Sequence, residues 1–162
     1  MKRLLLILIV VLTSGCASTF RLNSEHHEMF SSALSDKEKN DWKILTGKWY
    51  GHSTLNNGLK REWIIDRTND GYYSVEFRTI DKDRTVNKQI ENGEWGVSGN
   101  VYFTIFKSFV IDGSEDISDS TDPYNRDAYK ILKLNDKTFE YKHFRTGEKF
   151  RVIKVDSTFK LK

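Results

Sequence analysis

Thr46-Gly47-Lys48-Trp49-Tyr50-Gly51 marks the place where the chain changes its period. Before it, Ser35-Asp36-Lys37-Glu38 reads as a capping box, with a serine cap and a glutamate returning three residues later. Trp42 and Leu45, with Ile44 beside them, then give the apolar face of a short helix that ends near Gly47. After it, apolar residues recur every second position, the period of a half-buried strand. The glycine lets the chain turn out of the helix, and Trp49 is placed to plug one end of whatever the strands enclose.

Downstream, the alternation predicts strands over residues 48–55, 59–67, 72–81, 85–97, 101–111, 124–134, 138–145 and 149–161. Most junctions carry turn residues: Asn56-Asn57-Gly58, Asn69-Asp70-Gly71, Ser98-Gly99-Asn100, Asn135-Asp136-Lys137 and Thr146-Gly147-Glu148. Asn92-Gly93 inside the fourth strand reads as a bulge. The fifth strand is apolar on both faces for part of its length, which predicts cover on both sides, with the short helix as a candidate. Residues 112–123 form the one long break. Eight strands joined by consecutive tight turns make a meander, and closing it removes both exposed edges. The expected fold class is all-β: an eight-stranded antiparallel up-and-down barrel, preceded by a short α-helix and an N-terminal signal segment.

That segment has its own logic. Met1-Lys2-Arg3 is basic, Leu4 to Leu12 is unbroken apolar sequence, and Thr13-Ser14-Gly15-Cys16 follows. The apolar run is shorter than the ~20 residues that span a bilayer, and the order is that of a signal peptide. Small residues running directly into cysteine resemble the bacterial lipobox, in which the thiol is acylated and the chain is cut just before it. Cys16 is the only cysteine, so it has no disulfide partner within the chain. Acyl chains on Cys16, palmitate among them, supply about 0.8 kcal/mol per buried CH₂. The predicted organisation is a lipoprotein signal peptide over 1–15, the lipidated cysteine and a tether over 16–34, and a barrel domain over 35–162. Ala17 rather than aspartate after the cysteine resembles lipoproteins sorted to the outer membrane of Gram-negative cells. Removing Lys2 and Arg3 from the 26 basic residues leaves 24 against 23 acidic ones, so the charge balance does not point to nucleic acid.

The helix, Gly47-Lys48-Trp49, the eight-strand meander and Arg151 on the last strand together resemble the lipocalin and lipocalin-like families of the calycin group. Glu94-Trp95-Gly96 with Asn92-Gly93, and the stretch from Phe139 to Arg151, resemble bacterial lipocalin-like domains. The resemblance covers roughly residues 35–162. It implies that Trp49, released by Gly47, closes the barrel floor, and that Arg151 packs across it by cation–π attraction and hydrogen bonds to backbone.

Candidate ligand contacts follow from strand spacing: Arg61, Trp63, Tyr73, Phe77, Tyr102, Phe106, Tyr129, Tyr141 and His143. An aromatic-lined cavity with few polar groups is the usual make-up of a small-molecule pocket, and an inward Arg61 suits a carboxylate or phosphate. A filled core is the alternative reading of the same rings. No histidine cluster at metal-ligand spacing is visible, no serine sits in a nucleophile elbow, and no catalytic residue, metal or cofactor is expected. Asp112 to Asp122 holds five acids without a base. It does not match a calcium loop and is the candidate flap over one end of the barrel.

The expected function is non-catalytic binding of a small apolar or amphipathic molecule, such as a lipid or fatty acid, by a lipoprotein anchored in the envelope through Cys16. The second reading is an accessory or inhibitor module with a filled barrel and an envelope protein partner. An uncharacterised enzyme is the third. An open cavity of about 300 Å³ or more favours the first.

Overall fold

The structure, a computed structural model, describes residues 34–81, 83, 86–111 and 113–161. The signal peptide, Cys16 and the tether lie outside the described residues. Helix α1 (Asp36–Leu45) starts at Ser35, whose Oγ accepts from the Glu38 backbone N–H while the Glu38 carboxylate accepts from the Ser35 N–H. The capping box is therefore closed in both directions. The helix stops at Thr46, whose N–H returns to the Trp42 carbonyl, and Gly47 leaves at φ +94°, a conformation open mainly to glycine.

Nine strands follow: β1 (Gly47–Thr54), β2 (Lys60–Arg67), β3 (Tyr72–Ile80), β4 (Val86–Ser98), β5 (Val101–Ile111), β6 (Ser114–Ile117), β7 (Arg126–Leu134), β8 (Thr138–His143) and β9 (Lys149–Lys154). Eight of them close a ring in the order β1-β2-β3-β4-β5-β7-β8-β9, all antiparallel. β9 returns to β1 through Trp49 opposite Lys154, Tyr50 opposite Ile153 and Gly51 opposite Val152. This is a closed eight-stranded antiparallel barrel. Among the described residues no helix is long and apolar enough to cross a membrane.

Three sequence expectations change. First, the long break is not all loop. β6 folds back on the end of β5, with Ser108 opposite Ile117 and Ile111 opposite Ser114. It stands beside the ring, continuing the side of β5 that β7 pairs with lower down. Second, β5 is not covered on both sides. Phe103 points outward at 36% exposure, and α1 lies instead against β4, where Trp42 stacks on Trp95 at 4.2 Å. Third, β9 ends at Lys154 rather than running to residue 161.

The bulge is where Asn92-Gly93 predicted it, but the extra residue is on the partner strand. Asn92 pairs with Ser108 and Gly93 with Phe106, so Lys107 is left over. The slip turns both Phe106 and Phe109 toward the barrel side, with rings 4.5 Å apart.

The core gathers at one end. Leu45, Trp49, Phe139 and Val152 are fully buried there. The Trp49 indole N–H donates to the Leu45 carbonyl at 2.9 Å, so the plug is satisfied as well as packed. Arg151 does not cross it. Its side chain is 69% exposed, 3.6 Å from the Glu140 carboxylate on the outer surface. The reason is parity: Val152 points inward, so Arg151 points outward and Lys154 inward. Lys154 takes the position over Trp49, with Nζ 4.7 Å from the ring centre.

Candidate functional site

Because the strands are antiparallel, the starts of β1, β3, β5 and β8 meet the ends of β2, β4, β7 and β9 at the Trp49 floor. The mouth is the opposite end, where β5 finishes and β7 begins. The acidic segment that carries β6 therefore springs from the mouth, the end at which a ligand must enter. Its short 3-10 turn, Pro123–Asn125, is capped by the Asp122 carboxylate accepting from the Tyr124 N–H at 2.8 Å.

Between floor and mouth is a cavity of about 310 Å³. Inward positions of β2 supply Arg61, Trp63 and Ile65, and those of β3 supply Tyr73, Val75 and Phe77. β5 supplies Tyr102, Thr104 and Phe106, β7 supplies Asp127 and Tyr129, and β8 supplies Tyr141. Glu91, Glu148, Phe150, Ser53 and Leu55 complete the wall. Eight of the nine side chains chosen from strand spacing thus line one space. The ninth, His143, does not.

His143 is buried beside the cavity. Its Nδ1 accepts from the Thr146 backbone N–H at 3.1 Å and lies 2.9 Å from Thr146 Oγ1, and its Nε2 lies 3.0 Å from Asp127 Oδ1. An Nδ1 that accepts leaves the proton on Nε2, which donates to Asp127. Aspartate, histidine and a hydroxyl in series is the order of a nucleophilic triad. Here the hydroxyl belongs to the tight turn between β8 and β9, is exposed, and also accepts from the Glu148 N–H. The series ties a turn to β7. It does not face the cavity with a nucleophile.

The tyrosines pack mainly edge to face: Tyr129 on Tyr141 at 5.2 Å and Tyr102 on Tyr141 at 5.7 Å, while Phe150 stacks on Tyr141 at 5.2 Å. Burial pushes the hydroxyls of Tyr73, Tyr102, Tyr129 and Tyr141 well above their ordinary range. They stay neutral at physiological pH and offer hydrogen bonds without charge.

Sequence reasoning missed the charged groups. Arg67, read only as a strand end, is 1% exposed. Its Nε and Nη2 donate to the Tyr102 hydroxyl at 3.1 and 3.0 Å, and its guanidinium lies 4.8 Å from the Tyr102 ring centre and 5.7 Å from that of Phe139. Nη1 is buried without a partner. Glu91 is carried inward because it pairs with Val75, and burial raises its carboxyl above the ordinary value. Asp127 pairs with Thr104 and lies two positions before the inward Tyr129, on the same face of β7. Register finds both acids, but register needs the partner strand. Arg61 stacks at 4.1 Å over Phe77.

A second hollow, about 530 Å³, lies on the outside between β3, β4, β5 and β6. It is lined by Ser74, Asn92, Ser108 and Ile117 in a row and lacks the aromatic enclosure of the interior. Among the described residues no group of three or more His, Cys, Asp or Glu is placed to hold a metal ion.

No family model and no curated protein matches the sequence. Among solved structures, the chain is similar to the crystal structure of a lipocalin-like protein from Bacteroides uniformis ATCC 8492, at 17% identity and a TM-score of 0.42. The match covers 69% of this chain and 99% of that one. The barrel assignment stands on the strand register described above.

Proposed function

We propose that the protein is a lipid-anchored envelope protein that holds one small amphipathic molecule in its barrel without transforming it. The observation that carries this is the cavity: about 310 Å³, walled by aromatic rings, with the buried core around Trp49 beyond its deep end and carboxylates toward the other. Pockets for small molecules run from about 300 Å³ upward and combine apolar walls with a few placed polar groups. At this size and with this many hydroxyls and carboxylates, an amphipathic ligand fits better than a long saturated chain. The space also weighs against a barrel filled solid, on which the reading as a protein-binding accessory depends.

Native mass spectrometry of the purified full chain, incubated with an envelope extract, tests the container. A bound small molecule that also raises the melting temperature is the expected result. No adduct and no shift with any fraction sinks it.

The anchor is a separate part of the proposal and rests on the Thr13-Ser14-Gly15-Cys16 sequence. In a Gram-negative cell Ala17 favours the outer membrane, facing the periplasm. Cys16→Ser should move the protein from the membrane to the soluble fraction, and unchanged membrane retention would rule lipidation out.

A further inference from the structure

Charge is distributed unevenly along the barrel axis. At the floor are two cations, Arg67 and Lys154, and neither has a carboxylate within ion-pairing distance among the described residues. Arg67 even keeps one buried nitrogen unpartnered. Toward the mouth, the cavity wall carries Glu91, Asp127 and Glu148 against Arg61 alone. Arg145 reaches Asp127 from outside at 2.9 Å. Three carboxylates against Arg61 and Arg145 leave one negative charge at the rim. The interior is therefore positive below and negative above.

Glu91 and Glu148 carry that surplus. Asp127 is held by His143 and Arg145, whereas among the described residues no cation comes within ion-pairing distance of Glu91. Its carboxylate accepts from the Gln89 side chain, and Arg61 acts on it only from a longer distance. Aromatic rings share the same wall, and ring faces attract cations as carboxylates do.

A second observation gives direction. The Tyr102 hydroxyl accepts two N–H bonds from Arg67, so its own hydrogen is left to donate. Among the described residues no acceptor meets it, and Tyr102 lines the cavity. The deep end therefore offers a donor backed by a buried cation, and the mouth offers an anion among rings.

We infer that the ligand is a small organic cation, an ammonium group on a flat, largely apolar body whose far end can accept from the Tyr102 hydroxyl, bound body first with its charge held at the mouth by Glu91 and the surrounding rings. This rests on the container reading above and replaces the expectation that Arg61 receives a carboxylate. A carboxylate at the mouth would meet three of its own kind.

Three probes of similar shape separate the charges: 2-phenylethylammonium, 3-phenylpropionate and 3-phenylpropan-1-ol, titrated into the purified full chain at neutral pH by calorimetry, with tryptophan fluorescence alongside. The ammonium should bind about tenfold or more tightly than either of the others. Glu91→Gln, which keeps the shape of the side chain, should remove most of that preference and leave binding of the alcohol within about twofold. Glu148→Gln, at an exposed position, should reduce it less. A propionate that binds as well as the ammonium overturns the inference, as does a preference that survives Glu91→Gln. Equal binding of all three overturns it while leaving the container standing. Binding of none, with circular dichroism showing a folded barrel, overturns both.

Discussion

Lys154 lies over Trp49 with its Nζ 4.7 Å from the ring centre, and the same ammonium donates to the carbonyl oxygens of Ile44, at 2.7 Å, and Thr46. One side chain from the end of the last strand thus fastens the end of the helix and the plug of the first strand. Burial and the nearby Arg67 lower the Lys154 ammonium below its ordinary value. Its place is held by the two carbonyls and the ring, which are gained only in the closed barrel.

Lys154→Met keeps the length of the side chain and removes the charge and both hydrogen bonds. It should lower unfolding stability by roughly 1–3 kcal/mol in urea titration. Arg151→Ala, at the outward position three residues earlier, should change it by less than about 0.5 kcal/mol. The reverse order would show that the arginine, and not the lysine, closes the floor.

Glu38 joins helix to barrel. Its carboxylate accepts from the Gly99 N–H at 2.8 Å as well as from Ser35, and these bonds, that from Gly99 foremost, lower its pKa from 4.5 to about 2. A carboxylate depressed in the folded state stabilises it above the unfolded value. That stabilisation drains away as pH falls from 4.5 toward about 2. The melting temperature of Glu38→Gln should lie below that of the parent at neutral pH, and the two curves should converge on acidification through that window. A constant gap across it would refute the linkage.

Glu91 works in the opposite sense. Burial raises its carboxyl above 4.5, so ionisation opposes folding, with no penalty below 4.5 and a full one above the raised value. Glu91→Gln should therefore be more stable than the parent at neutral pH and no more stable at pH 3–4. Thermal melts across pH check this without any ligand. A variant that is less stable at neutral pH would mean that the bond from Gln89 outweighs the burial of the charge.

Gly51 sits beneath Trp63, and a Cβ added there would fall 2.3 Å from the indole ring. The ring must then move, and it forms part of the cavity wall. Gly51→Ala should cost about 1–3 kcal/mol through overpacking and weaken probe binding, read as a changed tryptophan emission and a higher Kd. Unaltered stability and binding would mean that the wall yields freely.

The fold was legible because its signals are local. Ser35 and Glu38 sit three residues apart, each turn carries its own glycine or asparagine, and strict alternation separates inward Trp63 from outward Glu62 on the same strand. That is enough for the helix, for the eight strands of the ring and for most of the cavity wall, including the bulge beside Gly93. It fails at β6, where Ser114–Ile117 is acidic and too short to show a period, and pairs only because β5 runs on past the start of β7.

What the sequence determined by itself was therefore the container: period, turn chemistry and a plug at Trp49, all set by neighbours within a few residues. Which side chain crosses that plug, and where charge falls inside, was decided only by the tertiary structure. Parity across a closed ring turns Lys154 in and Arg151 out, and the pairing of Glu91 with Val75 and of Asp127 with Thr104 sets acids at the mouth. A charge acquires its meaning from the distant strands that desolvate or pair it, and those distances exist only once the barrel has closed.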